Sequence, residues 1–539
     1  MKKIFLFIAA VLMTVMAAAQ SFPRVTTQYG VLEGVSESGL AVFKGIPFAA
    51  PPVGDNRWRA PQPVTPWQGV REAKEFGDDP MQGNPFGDMN FLGKKKSEDC
   101  LYLNVWTPAK TMKEALPVVI YFNGGGLIAG SGSEPRYAGA SMAHHGIVAV
   151  TANYREGIFG FLSHPELSKE TSYKGSGNYG YMDQAAAIKW VYENIAAFGG
   201  DPKQITIVGE SAGSMSVSVQ LTSPLTRGLI ARAMASSGAQ CGRVCLTLKE
   251  AEKAGVEKLK KIGVKNIKEA RAMSADELLA KTVSDGVPPI CIDGWFCTES
   301  PDDSYDKGHQ HKVPLLVGRN SMEMSPQFVL QGNPATVDGI RPVFEKLYGD
   351  KSQEVMHMYG IEKDGDVMGK PGVDFASDQF IAYGTWLFGY KHAKTSGQPV
   401  YRYYYAHPRP AMREQGLVAG LAGGVQKSDE KVNAAPASEA FNGAVHSADI
   451  EYAMGNLPTN RIYDWQPDDY AVSEQFINYY ANFIKTGNPN GLGLATWTPI
   501  NGTDHPTQLI LDVNSHEEYD ATAENRNLYL LQFVGNKKK

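Results

Sequence analysis

The segment Gly209-Glu210-Ser211-Ala212-Gly213 follows the apolar, largely β-branched run Ile205-Thr206-Ile207-Val208 and leads into a helix-compatible stretch from Ser214 to Leu221. A serine flanked by glycines at this junction predicts a sharp strand-to-helix turn, with its hydroxyl at an exposed apex and the helix N-terminus behind it. In a chain with 56 glycines the five-residue pattern alone says little, so the preceding strand carries the reading. A turn of this kind needs a helix-covered sheet around it, and its hydroxyl is presented for attack on carbonyl carbon.

The rest of the chain supplies such a sheet. Apolar runs recur at Pro117 to Phe122, Ile147 to Asn153, Ile205 to Val208, Val313 to Gly318 and Val400 to Tyr405, separated by segments of helical periodicity. That alternation predicts an α/β protein with a mostly parallel central sheet covered by helices. The clearest helix, Asp183 to Phe198, places Ala187, Trp190, Val191 and Ile195 on one face and stops at Gly199-Gly200. Between Thr247 and Thr282 a Lys/Glu/Ala-rich stretch reads as surface helices inserted between strands, and Gly416 to Asn442 reads as a long loop over one face. No repeat or linker divides the chain.

Met1-Lys2-Lys3, an apolar core from Ile4 to Met16 and Ala17-Ala18-Ala19 match a secretory signal, with cleavage expected after Ala19 and a single domain over residues 20–539. The product is expected to be exported to the periplasm or beyond, and no later run is long enough for a membrane span. Loss of Lys2 and Lys3 takes the formal net charge from −5 to −7, which offers no basic footprint for nucleic acid. The terminal lysines 537–539 read as a solvated tail. Cys100, Cys241, Cys245, Cys291 and Cys297 lack zinc-ligand spacing, so no metal is expected. One or two disulfides are expected after export, with one cysteine left over.

Acyl transfer through Ser211 needs a base, an acid to orient that base, and donors for the oxyanion. In hydrolases built on this turn the acid and then the base follow the serine in the chain, which excludes His144, His145 and His164. Glu323, just past the strand Val313 to Gly318, fits the acid, with Asp293 and Asp302 as competitors. For the base, His407 and His446 stand level, whereas His392, in a helical stretch, and His505 and His516, in a polar tail, read as ordinary surface residues. Ala212 and the glycines of Gly124-Gly125-Gly126, after Tyr121-Phe122-Asn123, are the expected oxyanion donors. No cofactor is required, because the nucleophile is activated by its neighbours.

Several blocks resemble the cholinesterase-like, or type B, carboxylesterase family. They are Phe43-Lys44-Gly45-Ile46-Pro47-Phe48-Ala49 with Arg57-Trp58, Ser97-Glu98-Asp99-Cys100-Leu101-Tyr102-Leu103-Asn104-Val105-Trp106, Asn153-Tyr154-Arg155, Phe159-Gly160-Phe161-Leu162, Gly177-Asn178-Tyr179-Gly180 and Asp183-Gln184. The resemblance implies an α/β-hydrolase fold with inserted helical cap segments over an active-site gorge. It selects Glu323 as acid and His446 as base beside Ser211, and Gly125, Gly126 and Ala212 as oxyanion donors. It also implies supporting roles for Glu210, beside the nucleophile, and Ser237, near the acid. The implied activity is hydrolysis of small to medium carboxylic esters through an acyl-enzyme. The competing expectation is a non-catalytic binding or adhesion protein, disfavoured because all three positions are intact.

The chain also departs from the family pattern. Asn123 stands where His or an aromatic residue is usual, Met324 follows the acid where Gly is common, and Pro80 and Met81 occupy the region where a partner for Cys100 would fall. The loop from Gln82 to Lys96 carries Phe86 and Phe91 but no Trp, which removes the expectation of a choline-binding face. Arg243 falls where the family places part of its acyl-binding wall, so an anionic or polar acyl group is expected there.

Overall fold

The computed structural model describes residues 23–427 and 441–534. The expected signal segment, the terminal lysines and part of the 416–442 stretch lie outside the described residues. Among the described residues, eleven strands form one sheet. They are β1 (Val35–Glu37), β2 (Leu40–Pro47), β3 (Tyr102–Thr107), β4 (Leu116–Phe122), β5 (Val148–Ala152), β6 (Gly200–Glu210), β7 (Arg232–Ser236), β8 (Leu315–Asn320), β9 (Val400–Tyr405), β10 (Gln508–Leu511) and β11 (His516–Glu518). Their order across the sheet is β11-β10-β9-β8-β7-β6-β4-β5-β3-β2-β1. From β10 to β5 all neighbours are parallel, and both ends of the sheet are antiparallel.

Parallel neighbours require crossovers, and here helices supply them on both faces. Those that bear on the site are α1 (Tyr179–Asn194), α2 (Ala212–Gln220), α3 (Leu248–Lys261), α4 (Ile267–Ala272), α5 (Ala275–Thr282), α6 (Lys370–Phe380), α7 (Ala382–Thr395) and α8 (Pro467–Thr486). Alternation along β4 shows the layering. Val118, Ile120 and Phe122 pack with Ile188, Trp190 and Val191 of α1, Val217 of α2 and Leu387 of α7. Val119 and Tyr121 face the other way, toward Val472, Phe476 and Phe483 of α8. A period of two along the strand therefore fills two separate cores. Each buried Leu, Val or Phe contributes about 1.5–3 kcal/mol to holding the central strands in place.

The inserted stretch between Thr247 and Thr282 forms α3, α4 and α5, whose N-termini are capped by the side chains of Thr247, Asn266 and Ser274. Other boundaries moved for local reasons. Helix α1 begins at Tyr179 rather than Asp183, because Asn178 adopts φ +56° and releases the chain into the helix four residues early. It gives way to a 3₁₀ turn over Ile195–Phe198 before Gly199 turns left-handed. Strand β8 starts at Leu315 rather than Val313 because Pro314 has no N–H to offer a ladder. Within the expected long loop, Leu417–Ala419 and Val425–Lys427 pair as a short hairpin.

Two expectations are corrected. All five cysteines are free thiols, four of them buried. Cys100 is buried in the core that holds Leu103 and Val105 of β3, Met81 stands in the region where the family partner would fall, and Cys291 is enclosed by Ser163 and the Ser176 carbonyl. His392 is no surface residue either: it is fully buried, and its Nε2 lies 2.8 Å from the Val313 carbonyl.

Candidate active site

Strand β6 ends at Glu210 and helix α2 starts at Ala212, leaving Ser211 alone at the turn with φ +56° and ψ −120°. That backbone state is costly for a residue with a Cβ and persists only where the surroundings enforce it. The enforcement comes from tight packing of the turn against β4: a Cβ on Gly213 would stand 2.0 Å from the Phe122 carbonyl oxygen. Glycine at that position is therefore a steric requirement. The Ser211 N–H is in turn held by the Ser236 carbonyl at the end of β7.

His446, which meets Ser211, and Glu323, which meets His446, come from loops beyond later strands. His446 Nε2 lies 2.9 Å from Ser211 Oγ, and His446 Nδ1 lies 2.6 Å from Glu323 Oε2. The other oxygen of Glu323 accepts hydrogen bonds from Ser237 Oγ and the Asn320 N–H, each at 2.6 Å. Contacts between them lock the Glu323 and His446 loops together. Met322 N–H donates to the Ala444 carbonyl at 2.9 Å, Ala444 N–H to Ser321 Oγ at 2.8 Å, and Asn320 Nδ2 to the Val445 carbonyl at 2.8 Å.

The electrostatics follow from burial and charge. Burial alone would push the His446 imidazolium down, but Glu210 and then Glu323 outweigh it and hold the group at about 9. Glu210 itself is pushed up to about 8 by burial, against the pull of His446. Its Oε1 lies 3.4 Å from His446 Nε2 and accepts from Ser447 Oγ at 2.8 Å. The imidazole is thus fixed by carboxyl groups on both nitrogens, with Ser211 within reach of one of them.

Above Ser211 the loop after β4 runs through Gly124, Gly125 and Gly126. Gly125 has φ +105°, and a Cβ there would fall 1.9 Å from the Ala129 carbonyl oxygen, so no other residue fits. These glycines, Ser211, Ala212 and His446 line a cleft of about 430 Å³, closed on other sides by Met215, Arg243, Phe328 and Phe380. Leu421 and Ala422, at the tip of the short hairpin, also reach it. A serine with a hydrogen-bonded base, an oriented base and a nearby turn of glycine amides can carry out nucleophilic acyl substitution.

The competing candidates are engaged elsewhere. Asp293 accepts the N–H groups of Trp295, Phe296 and Cys297, and Asp302 pairs with Lys391. His407 sits between Asp469 and Asp512, at 2.9 and 3.0 Å. His164 accepts the Glu166 N–H at a helix start. The family blocks prove to be structural ties: Arg57 forms a bidentate pair with Glu98, and Arg155 with Asp183.

Three supporting groups were not legible in the sequence. Asp449, buried, accepts from Ser236 Oγ and from Asn320 Nδ2, with Tyr403 OH 3.3 Å away. It underpins the same Asn320 that donates to Glu323. Ser447 holds Glu210. Glu156 is buried next to Asn123, whose Nδ2 lies 3.4 Å from Glu156 Oε1 and donates to the Gly124 carbonyl at 2.9 Å. The one signal for Glu156 was its place directly after Asn153-Tyr154-Arg155; Asp449 and Ser447 had only their nearness to His446.

With this fold and this site, the chain belongs to the carboxylesterase family, whose pattern it matches over residues 21–529. It is 36% identical to a fumonisin B1 esterase of Sphingopyxis macrogoltabida over 463 residues, covering 80% of this chain and 83% of that one. It is 30% identical to a para-nitrobenzyl esterase of Bacillus subtilis over 527 residues, 93% of this chain and 97% of the other. A solved carboxylesterase of Geobacillus stearothermophilus superposes with a TM-score of 0.77 at 30% identity, over 93% of this chain and 99% of that one. The fold is accordingly that of the α/β-hydrolases, and the protein is a carboxylic ester hydrolase acting on small-molecule esters.

Proposed function

We propose that the enzyme is an exported serine esterase that works through an acyl-enzyme on Ser211, with His446 as general base and acid and Glu323 as the group that orients it. The observation that carries this reading is the unbroken chain Ser211 Oγ, His446 Nε2, His446 Nδ1, Glu323 Oε2, at 2.9 and 2.6 Å. Ser211 Oγ adds to the ester carbonyl as His446 Nε2 takes its proton. The negative charge that develops on the carbonyl oxygen is met by the N–H groups of Gly125, Gly126 and Ala212, each donor lowering the barrier by about 2.7–4 kcal/mol. The carbon–oxygen bond to the alcohol then breaks, and the imidazolium returns the proton to the departing oxygen. Water repeats the sequence on the acyl-enzyme, releasing the acid and restoring Ser211.

Export rests on the charged, apolar and alanine-rich order of residues 1–19, and residues 20–539 are read as one domain. Among the described residues no helix is long and apolar enough to cross a membrane. The test is a panel of short- and medium-chain p-nitrophenyl esters with the protein beside Ser211→Ala. Turnover lost in the variant supports the reading. Equal turnover in both proteins removes it, and no turnover in either favours the binding-protein alternative.

A further inference from the structure

Arg243 is the cleft's unexplained charge. It lies in a turn beyond β7 and shares the cleft wall with Ser211 and His446. Its Nη2 donates to the Phe380 carbonyl at 2.6 Å, at the last residue of α6. The Phe380 ring stands edge-on to the His446 imidazole, with centroids 5.0 Å apart. The guanidinium is thus anchored one residue away from the base that serves Ser211.

Arg243 is half-buried in the cleft wall, and a guanidinium partly withdrawn from water ordinarily has a carboxylate beside it, because an uncompensated charge is costly to desolvate. No carboxylate among the described residues forms an ion pair with Arg243. The other charged groups of the cleft are committed: Arg136 is paired with Glu134, and Glu210 is held by Ser447 and His446. Burial pushes the Arg243 guanidinium down, and the Tyr181 phenol opposes it. Apolar neighbours Met215, Phe328 and Phe380 would strengthen any ion pair formed there. The planar fork of an arginine also suits two-point recognition of a carboxylate.

We propose that Arg243 is the counter-ion for a second, free carboxylate on the ester substrate, so that the enzyme selects anionic esters over neutral ones of equal size. This rests on the serine-esterase reading above. The carboxylate can reside in the acyl half or the alcohol half, and the test separates them. The acyl arm compares benzyl hemiadipate with benzyl hexanoate, and the alcohol arm compares 4-carboxybenzyl acetate with benzyl acetate, by chromatography of the released alcohol.

The intact enzyme is expected to favour the anionic member of one pair by at least about tenfold in kcat/KM. Arg243→Leu is expected to collapse that ratio toward one, chiefly through KM, and Arg243→Lys to restore part of it. A ratio at or below one in both arms overturns the proposal, as does a preference that survives Arg243→Leu. Ser211→Ala is run on the same neutral esters: turnover persisting there would instead defeat the serine-esterase reading, so the two failures are distinguishable.

Discussion

Glu210 Oε1 stands 3.4 Å from His446 Nε2, on the nitrogen that also reaches Ser211 Oγ. His446 Nε2 therefore faces both the Ser211 hydroxyl and a buried carboxyl group. The two groups titrate as a pair, both above their ordinary values: burial raises Glu210, and Glu210 followed by Glu323 raises His446. In the proposed mechanism only the neutral imidazole accepts the serine proton, so activity is expected above the raised His446 value and is expected to be lost as pH falls through it.

The acid limb of kcat/KM is accordingly expected well above 6.5, the ordinary imidazole value, and toward 9. Glu210→Gln removes the largest attraction for the imidazolium, so the limb moves to lower pH. A pH profile of both proteins on a neutral ester checks the direction, and an unmoved or upward-shifted limb contradicts it.

Glu323→Gln keeps the shape of the acid but presents an amide to His446 Nδ1. A wrong imidazole tautomer is expected, with kcat reduced by about 10³–10⁴ and KM little changed, by analogy with the same change in serine proteases. Ser237→Ala removes one of two donors to Glu323 Oε1 and leaves the Asn320 N–H in place, so a smaller loss, about tenfold in kcat, is expected. Steady-state kinetics of the two variants side by side test that order.

Asn123 ties the glycine loop to the buried Glu156, whose carboxyl burial pushes well above the usual carboxylate range. Asn123→Ala frees the Gly124 carbonyl from its side-chain tether and loosens the oxyanion turn. A fall of about tenfold or more in kcat with a smaller change in KM is expected, because the lost precision matters most where charge develops. Equal changes in both constants would point to ordinary substrate binding instead.

Away from the chemistry, Asp183 accepts two hydrogen bonds from the buried Arg155 side chain and one from its backbone N–H. Asp183→Asn leaves a guanidinium without its counter-charge in the core. A loss of about 3–5 kcal/mol of stability is expected, visible as a lowered Tm by calorimetry.

Much of this architecture was readable from pattern. Strand β9, all β-branched or aromatic except Arg402, falls on its expected bounds, and the Ser211 turn follows from two glycines and the strand before them. The pairing of acid and base was not readable in the same way. Glu323 and His446 are 123 residues apart, and His407 also follows a strand directly. What separates the two histidines is a contact between loops, the Met322 and Ala444 backbone bond, which local sequence does not encode. Family resemblance selected His446 where spacing left the choice open. Asp449 and Glu156 were missed for a related reason: a buried carboxyl reads in sequence like a solvated one, and only burial reveals it. Helix starts slipped where a single left-handed residue, such as Asn178, decided the boundary.

The proposed mechanism requires that Ser211 become covalently acylated. The most direct measurement treats the protein with a p-nitrophenyl phosphonate, which adds to an activated serine and stays there, and locates the adduct by mass spectrometry of the digested chain. One adduct per molecule is expected, on the peptide carrying Ser211, with a rate of labelling that collapses in His446→Ala. An adduct on any other residue, or an unlabelled Ser211 in protein that still hydrolyses esters, would contradict it.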